Sequence, residues 1–262
     1  MPDNRVLNHK IYGEGQPVYI FHGLFGMLDN WYSFAKVLSE EFQVITADLR
    51  NHGRSFHDDD HSYQAMAEDI ISLMDHLGHD QAVLMGHSMG GKAVAQLALD
   101  HPERVVGLIV VDILPIDYER GHDAVLEALN ALDIDKTDSR SELKKDMTDL
   151  LGGDTGVANF LLKSLKRKDD KGFSWQFNLD VLTEKYDDIR RPPESEDTFE
   201  GATLFIKGGL SNYVGMSGWM DTTELFPNAD LKEIDDAGHW VHVDQPDRLL
   251  EVVKDFIRAT NG

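Results

Sequence analysis

Cysteine is absent from this chain of 262 residues. Its absence excludes disulfides, thiolate nucleophiles and cysteine-ligated zinc or iron–sulfur centres. Basic side chains are also scarce, since 25 lysines and arginines stand against 47 aspartates and glutamates, for a net charge of −22 with histidine neutral. Because such an acidic chain repels phosphate backbones and anionic lipid, we expect it to bind neither nucleic acid nor a membrane surface.

Long apolar segments are missing as well. The longest runs, such as the one at 105–111, are far shorter than the ~20 residues that cross a bilayer as a helix. The first five residues lack the basic region and apolar stretch of a signal peptide, so we expect a cytoplasmic protein. Apolar side chains still make up 41% of the chain, which is enough for a sizeable core.

Short apolar runs alternate with helical patterns along most of the chain. The runs are mostly aliphatic and lie at 18–21, 44–48, 82–85, 105–111, 203–206 and 230–234. Such runs are typical of parallel strands buried on both faces. Helical periodicity at 63–77, at 92–99 and from Pro246 onward completes an alternation that predicts an α/β fold with a mostly parallel, doubly wound sheet. Residues 7–12, with a turn at 13–15, predict a hairpin that adds antiparallel strands at one edge.

This alternation stops within 115–193. The segment carries helical patterns, for example at 124–129, and no convincing strand. We therefore predict two domains: an α/β core formed by 1–114 and 194–262, and a helical cap inserted at 115–193 over the end of the sheet.

A Gly-His-Ser-Met-Gly sequence at 86–90 follows one apolar run and precedes an alanine-rich helical pattern. The bare pattern Gly-x-Ser-x-Gly is a weak signal, and its position between a strand and a helix strengthens it. The two glycines allow a sharp turn that lifts the hydroxyl of Ser88 clear of the sheet. The helix N-terminus beneath it favours negative charge. We therefore predict that Ser88 is a nucleophile.

A serine nucleophile needs a base, which in this chain order lies far downstream and is oriented by an acid. His239 follows the last predicted strand and is the candidate base, with His242 as its competitor. The loop after the penultimate strand, where the acid usually lies, has Ser211 and no carboxylate. Asp112 ends the strand before the cap, where an unpaired carboxylate would be costly. We predict Asp112 as the acid, Ser211 as an additional partner of His239, and Asp221 as the alternative acid.

Two backbone N–H groups are expected to bind an oxyanion. One belongs to Met89, which follows the nucleophile, and the other to Leu24, in a glycine-containing turn at 22–26. Aromatic residues of the predicted cap are candidates for lining an acyl pocket, with packing inside the cap as the alternative: Phe160, Trp175 and Phe177.

Two charged stretches have simple interpretations. Basic side chains cluster in the predicted cap and include Lys166, Arg167 and Lys168. A solvated helix face explains them, and docking of an anionic substrate arm such as a coenzyme A phosphate is the alternative. The His-Asp-Asp-Asp-His sequence at 57–61 has the composition of a metal site, but we interpret it as a solvated acidic loop.

Four motifs together resemble the α/β-hydrolase superfamily. They are His-Gly-Leu-Phe-Gly at 22–26, Asp-Leu-Arg-Asn-His-Gly-Arg-Ser at 48–55, Gly-His-Ser-Met-Gly-Gly at 86–91 and Gly-His-Trp at 238–240. The likeness spans nearly the whole chain, and the cap is its least diagnostic part. Within the superfamily, the chain is most similar to the bacterial YbfF-type esterases. That group shares the Leu-Phe-Gly turn, an acid moved to the strand before the cap and a serine in the usual acid loop.

The resemblance implies a carboxylesterase or acyl-CoA thioesterase that works through a Ser-His-Asp triad without a metal or organic cofactor. Its partner would be a small-molecule ester or acyl-CoA substrate. A carbon–carbon lyase of menaquinone synthesis has a similar nucleophile turn, although its usual acid lies in the loop where this chain has Ser211. A ligand-binding receptor that retains the hydrolase shell but turns over very slowly is a further alternative.

Overall fold

The computed structural model describes residues 5–260, so the first four residues of the segment searched for a signal peptide lie outside the described residues. The strands are β1 (His9–Tyr12), β2 (Pro17–Phe21), β3 (Gln43–Ala47), β4 (Ala82–His87), β5 (Val105–Val111), β6 (Leu165–Arg167), β7 (Phe173–Trp175), β8 (Thr203–Gly208) and β9 (Ala229–Ile234). The α-helices are α1 (Tyr32–Leu38), α2 (Tyr63–Leu77), α3 (Met89–Asp100), α4 (Asp123–Ala131), α5 (Arg140–Leu150), α6 (Thr155–Leu162), α7 (Leu179–Glu184), α8 (Tyr186–Arg190), α9 (Met216–Leu225), α10 (Val241–Asp244) and α11 (Pro246–Ala259). Short 3-10 helices lie at Leu28–Trp31 and Pro102–Arg104. None of the described helices is long and apolar enough to span a bilayer.

Seven strands form one twisted sheet in the order β1-β3-β2-β4-β5-β8-β9. All neighbours run parallel except β1, which pairs antiparallel with β3. The central strand β4 is buried along its whole length, as a strand covered by helices on both faces must be. The predicted α/β fold with a mostly parallel sheet is therefore confirmed.

The sheet separates two apolar cores, because alternate side chains of each strand point to opposite faces. Tyr19 and Phe21 of β2 belong to the core that includes buried residues of α2 and α3. Val18 and Ile20 belong to the other core, which includes buried residues of α1 and α11. These cores fix the carboxyl ends of the strands at one edge, where loops build the site.

The predicted hairpin at 7–15 is wrong in its pairing. β1 does lie antiparallel at the sheet edge, but its partner is β3, with Ile11 opposite Ile45. The turn after β1 packs against the end of α1: a Cβ on Gly13 would lie 2.4 Å from the carbonyl oxygen of Ser39. This contact carries the chain past β3, so that β2 enters the sheet on the far side of β3.

The segment 115–193 contributes no strand to the large sheet. It contains α4 to α8, and its buried side chains, such as Leu126 and Leu143, pack in the core shared with α2 and α3. The expectation that it has no strand is wrong, because β6 and β7 form an antiparallel pair with Leu165 opposite Trp175. Its assignment as a separate cap domain remains a prediction.

Candidate active site

Ser88 occupies a strained turn between β4 and α3. Its φ of 53° and ψ of −122° lie outside the regions that a side chain tolerates easily, a strain of about 1–3 kcal/mol. The glycines of the motif make the turn possible, since a Cβ on Gly86 would lie 2.1 Å from the carbonyl oxygen of Gly90. The Ser88 N–H donates to the carbonyl oxygen of Val111 at 3.0 Å, which fixes the turn against β5.

Asp112 lies fully buried at the end of β5, with a φ of 52°. Its Oδ1 accepts from the N–H of Gly208 at 2.9 Å, and its Oδ2 accepts from Ser211 Oγ at 2.5 Å and from His239 Nδ1 at 2.8 Å. Three donors therefore converge on this carboxylate. The hydroxyl of Ser211 bonds Asp112, where the sequence predicted His239 as its partner. Because Nδ1 of His239 donates to this carboxylate, Nε2 of the same ring is left as an acceptor.

Three contacts hold His239, two to its ring and one to its backbone. It stacks on Tyr213 with 4.1 Å between ring centroids, and its Nδ1 is bound by Asp112. Behind it, Nε2 of His87 donates to the His239 carbonyl oxygen at 2.8 Å. Burial and the neighbouring His239 and His242 hold the pKa of His87 well below its usual range, so His87 is a neutral support for the loop.

His242 lies near this ring without the same partners. Its imidazole stacks on Trp31 with centroids 4.3 Å apart, and burial lowers its pKa to about 3. Within residues 5–260, its Nδ1 has no hydrogen-bond partner. Asp221, the alternative acid, is exposed on α9. The structure therefore brings together His239 and Asp112, and not these two competitors.

Two buried histidines shape the turn at 22–26. Nε2 of His22 accepts from the Leu49 N–H at 3.1 Å, and Nε2 of His52 accepts from the Phe25 N–H at 3.1 Å. Burial holds the pKa of both rings below the usual value, which keeps these nitrogens available as acceptors. Phe25 adopts a φ of 60°, so the turn is tight at the residue after Leu24.

The N–H groups of Leu24 and Met89 have no hydrogen-bond partner among residues 5–260. Met89 is the first residue of α3, whose leading N–H groups have no acceptor within the helix. Leu24 and Ser88 line the same two cavities, and Met89 lines one of them. The two N–H groups thus border the space beside the Ser88 hydroxyl.

The motif at 48–55 supports this turn from below. Asp48 accepts from the Leu28 N–H at 2.7 Å and from the Arg54 N–H at 2.9 Å. Gly53 has a φ of 59°, and a Cβ there would lie 2.1 Å from the carboxyl carbon of Asp48. The buried carboxylate of Asp48 therefore links the loop after β2 to the loop after β3.

Two cavities meet at Ser88. The first, which we call the His239 lobe, has about 420 Å³ and is lined by His239, Trp240 and Val125. The second, the Lys92 lobe, has about 450 Å³ and is lined by Lys92 and Met89. Residues that line both lobes are Leu24, Ser88, Gly121, His122 and Tyr213. A bound molecule with two arms can therefore present the atom between them to Ser88.

The three aromatic candidates of the cap lie in different places. Phe160 lines the His239 lobe and packs against Trp240, with 5.1 Å between centroids. Trp175 and Phe177 line neither lobe. They stack on each other at 5.0 Å, and Phe177 packs on Phe25 at 5.2 Å, so both lie behind the 22–26 turn.

The basic cluster also lies away from both lobes. Lys168 pairs with Asp135 at 2.6 Å, and Arg167 donates to the carbonyl oxygen of Asp138 at 2.7 Å. None of Lys166, Arg167 and Lys168 lines either lobe. These ion pairs are made within the segment 115–193 itself.

At 57–61, His61 is buried beside Asn51, and burial lowers the pKa of its ring to about 3. The described residues contain no group of three or more side chains that could hold a metal ion.

Sequence reasoning missed the supporting histidines and Lys92. His22, His52 and His87 each lie inside one of the four motifs. A glycine beside each histidine was the available signal, and His22 and His87 also come after apolar runs. Lys92 interrupts a run of small and apolar residues on α3. A lysine in such a helix is buried only when it has partners, and the sequence does not reveal those partners.

The fold agrees with what the comparison with known proteins shows. Residues 16–144 match the family described as alpha/beta hydrolase fold. Together with the relatives below, this match shows that the chain belongs to the α/β-hydrolase family.

The relatives narrow the class further. The chain is 39% identical to the mouse sn-1-specific diacylglycerol lipase ABHD11, over 92% of this chain and 81% of the relative. It is 37% identical to esterase YbfF of Escherichia coli, over 92% of both. Among solved structures, a marine microorganism esterase superposes with a TM-score of 0.93 at 35% identity, over 96% of this chain and 99% of the other. These similarities place the chain in the esterase and lipase group of the family.

Proposed function

We propose that this chain is a serine hydrolase of carboxylic esters, with Ser88 as nucleophile, His239 as general base and acid, and Asp112 as the orienting acid. The strongest support is the 2.8 Å hydrogen bond from His239 Nδ1 to the buried Asp112. His239 and Ser88 line the same cavity. That bond selects the ring tautomer whose Nε2 accepts a proton. Ser211 supports the carboxylate from the side opposite Gly208.

The proposed reaction begins when Ser88 Oγ attacks the ester carbonyl carbon and gives its proton to His239 Nε2. The carbonyl oxygen becomes an oxyanion, which accepts from the N–H groups of Leu24 and Met89, each worth ~3–4 kcal/mol. His239 then protonates the leaving alcohol oxygen as its bond to the carbonyl carbon breaks. Water then gives a proton to His239 Nε2 and attacks the acyl carbon. As the bond from that carbon to Ser88 Oγ breaks, His239 returns the proton to Ser88 and the acid is released.

The two lobes suggest how an ester would lie. Because His239 must protonate the leaving oxygen, the alcohol belongs in the His239 lobe, beside Phe160 and Val125. The acyl group then extends into the Lys92 lobe, whose walls are mostly apolar. Replacement of Val125 by tryptophan should lower kcat/KM for esters of bulky alcohols and spare esters that differ only in acyl length. An equal effect on both series would contradict this orientation.

Acyl-CoA thioesters are the finer alternative within the same chemistry, since the same attack applies to a thioester carbonyl. The ion pairs of Arg167 and Lys168, and their distance from the lobes, favour simple esters instead. The cytoplasmic location likewise remains a proposal, and cell fractionation tests it.

Turnover of p-nitrophenyl esters and acyl-CoA thioesters of matched acyl length tests the proposal. Ser88→Ala should abolish hydrolysis of both series, whereas Ser217→Ala, at an exposed serine of α9, should leave it unchanged. Most of the rate remaining in Ser88→Ala would refute the nucleophile. A burst without steady-state turnover would favour the slow ligand-binding alternative.

A further inference from the structure

Lys92 is a buried lysine that forms no ion pair with a carboxylate among residues 5–260. Burial lowers the pKa of its ammonium to about 7, and the nearby charge of Asp117 opposes this shift. It lies on α3 one turn after Ser88 and is 2% exposed. Its Nζ donates to the carbonyl oxygens of Ile116 at 2.8 Å, Arg190 at 2.6 Å and Arg191 at 2.7 Å. A lysine ammonium has three donors, so these three backbone acceptors satisfy it completely.

The acceptors come from both chain segments that join 115–193 to the rest of the molecule. We call residues 113–122, between β5 and α4, the leading connector. Residues 190–202, from the last residue of α8 to the start of β8, are the trailing connector. Ile116 lies in the first, and Arg190 and Arg191 lie in the second. One side chain of α3 therefore ties together the beginning and the end of the inserted segment.

Further bonds from the core hold the same region. Tyr63 Oη on α2 donates to the carbonyl oxygen of Ile189 at 2.5 Å. Gln96, one turn beyond Lys92 on α3, exchanges two bonds with the backbone of Glu194, at 2.9 and 2.8 Å. The trailing connector is thus held at residues 190, 191 and 194 by one face of α3, the helix that begins at the nucleophile.

The leading connector reaches the His239 ring through two tyrosines. The Lys92 ammonium lies 4.8 Å from the centre of the Tyr118 ring. Tyr118 Oη accepts from the Leu114 N–H at 2.9 Å and donates to the Tyr213 carbonyl oxygen at 2.7 Å. Tyr213 in turn stacks on His239. Displacement of this connector would move both a wall of the Lys92 lobe and the support of the base.

We propose that Lys92 is a positioning residue: its ammonium clamps both connectors to α3 and thereby fixes the inserted segment over the pocket at Ser88. Burying a charge is costly unless its donors are all used. A long apolar side chain would fill the same space without the free-energy cost of burying a charge, but it could not hold three carbonyl groups at fixed positions. The clamp accounts for a charged residue in a helix whose other buried side chains are mainly apolar.

Hydrogen exchange of Lys92→Met tests the clamp without reference to activity. Methionine is likewise unbranched, is one atom shorter than lysine and has no hydrogen-bond donor. We expect exchange in both connectors to become at least about tenfold faster, as loss of charge-assisted bonds implies. Exchange in β4 and β5 should stay as in the wild type. Lys232→Met, at an exposed lysine of β9, is the control. Unchanged exchange in the connectors would overturn the proposal.

The kinetic consequence rests on the proposed ester hydrolysis. If the clamp shapes the Lys92 lobe, Lys92→Met should raise KM for octanoate esters about tenfold more than KM for acetate esters, whatever loss of kcat both series share through the support of His239. Faster exchange in the connectors, together with a wild-type protein and variants that hydrolyse no ester, would support the clamp and refute the proposed function. An equal change in KM on short and long acyl groups would contradict a role in shaping the lobe.

If Lys92→Met does not fold, spectra of the wild-type protein labelled with ¹⁵N-lysine decide the question. The clamp predicts a Lys92 ammonium signal protected from solvent exchange, with nuclear Overhauser contacts to residues 116 and 190. A freely exchanging or mobile Lys92 side chain would overturn it.

Discussion

Asp112→Asn is the most informative single change to the site, because the hydrogen bonds around the carboxylate determine which way the amide must face. The N–H of Gly208 is a fixed backbone donor to Oδ1. The amide oxygen of asparagine must therefore occupy the Oδ1 position, and its NH₂ group must face Ser211 and His239. The serine hydroxyl can rotate to accept from this group, and the imidazole can accept only at Nδ1.

Acceptance at Nδ1 forces the proton onto Nε2, so the ring can no longer take a proton from Ser88. The same substitution in the triad of a serine protease lowers kcat by about 10⁴. The fold should survive, because each of the three donors still has an acceptor or can rotate. We expect a loss in the free energy of unfolding of about 1–3 kcal/mol, the range for one charge-assisted bond weakened to a neutral one.

The assay is steady-state hydrolysis of a short p-nitrophenyl ester, with urea unfolding of the same samples. Asp221→Asn makes the same chemical change at an exposed carboxylate of α9 and serves as the control. We expect the large loss of kcat only at Asp112. Wild-type kcat in Asp112→Asn, or a loss in Asp221→Asn instead, would refute the assignment of the acid.

Two stability predictions follow from the same structure. Gly86→Ala should lower the free energy of unfolding by roughly 3 kcal/mol or more, because the new Cβ would lie 2.1 Å from a backbone oxygen. Thermal melts measure the effect, and Gly215→Ala, where a Cβ meets nothing within 4 Å, is the control. Equal melting temperatures of the two variants would contradict the steric argument. Burial lowers the pKa of His61 to about 3, so the unfolded chain takes up a proton below pH 6.5 that the folded chain refuses. Stability is therefore lost as pH falls, by about 1.4 kcal/mol between pH 7.5 and 5.5 for this group. In urea titrations, His61→Asn should remove this part of the loss in the free energy of unfolding. His57→Asn, at an exposed histidine, is the control. An unchanged pH dependence of stability in His61→Asn would contradict the prediction.

Five strands of the large sheet, β2, β3, β4, β5 and β8, were predictable because each is a short, mostly apolar run that is largely buried. The predicted run at 105–111 coincides with β5, and the predicted helix at 63–77 coincides with α2. The pairing of β1 was not predictable, because it depends on a contact between Gly13 and the end of α1. β6 and β7 were missed because each has three residues, too few for an alternation pattern to appear.

The site shows the same limit. The positions of Ser88, Asp112 and His239 in the chain were sufficient to nominate them, since each follows a strand of the sheet. The φ of 52° at Asp112 and the contact of its carboxylate with Gly208 come from tertiary structure alone. Trp175 and Phe177 were nominated by residue type, and their position behind the 22–26 turn depends on how the β6–β7 pair packs.

Trapping the covalent intermediate tests the central claim most directly. The wild-type protein is treated with a fluorophosphonate, digested and analysed by mass spectrometry, and the same is done for Ser88→Ala and Ser217→Ala. The account predicts one label per chain on the peptide that contains Ser88, present in Ser217→Ala and absent in Ser88→Ala. A stoichiometric label on any other residue, or labelling that persists in Ser88→Ala, would contradict it.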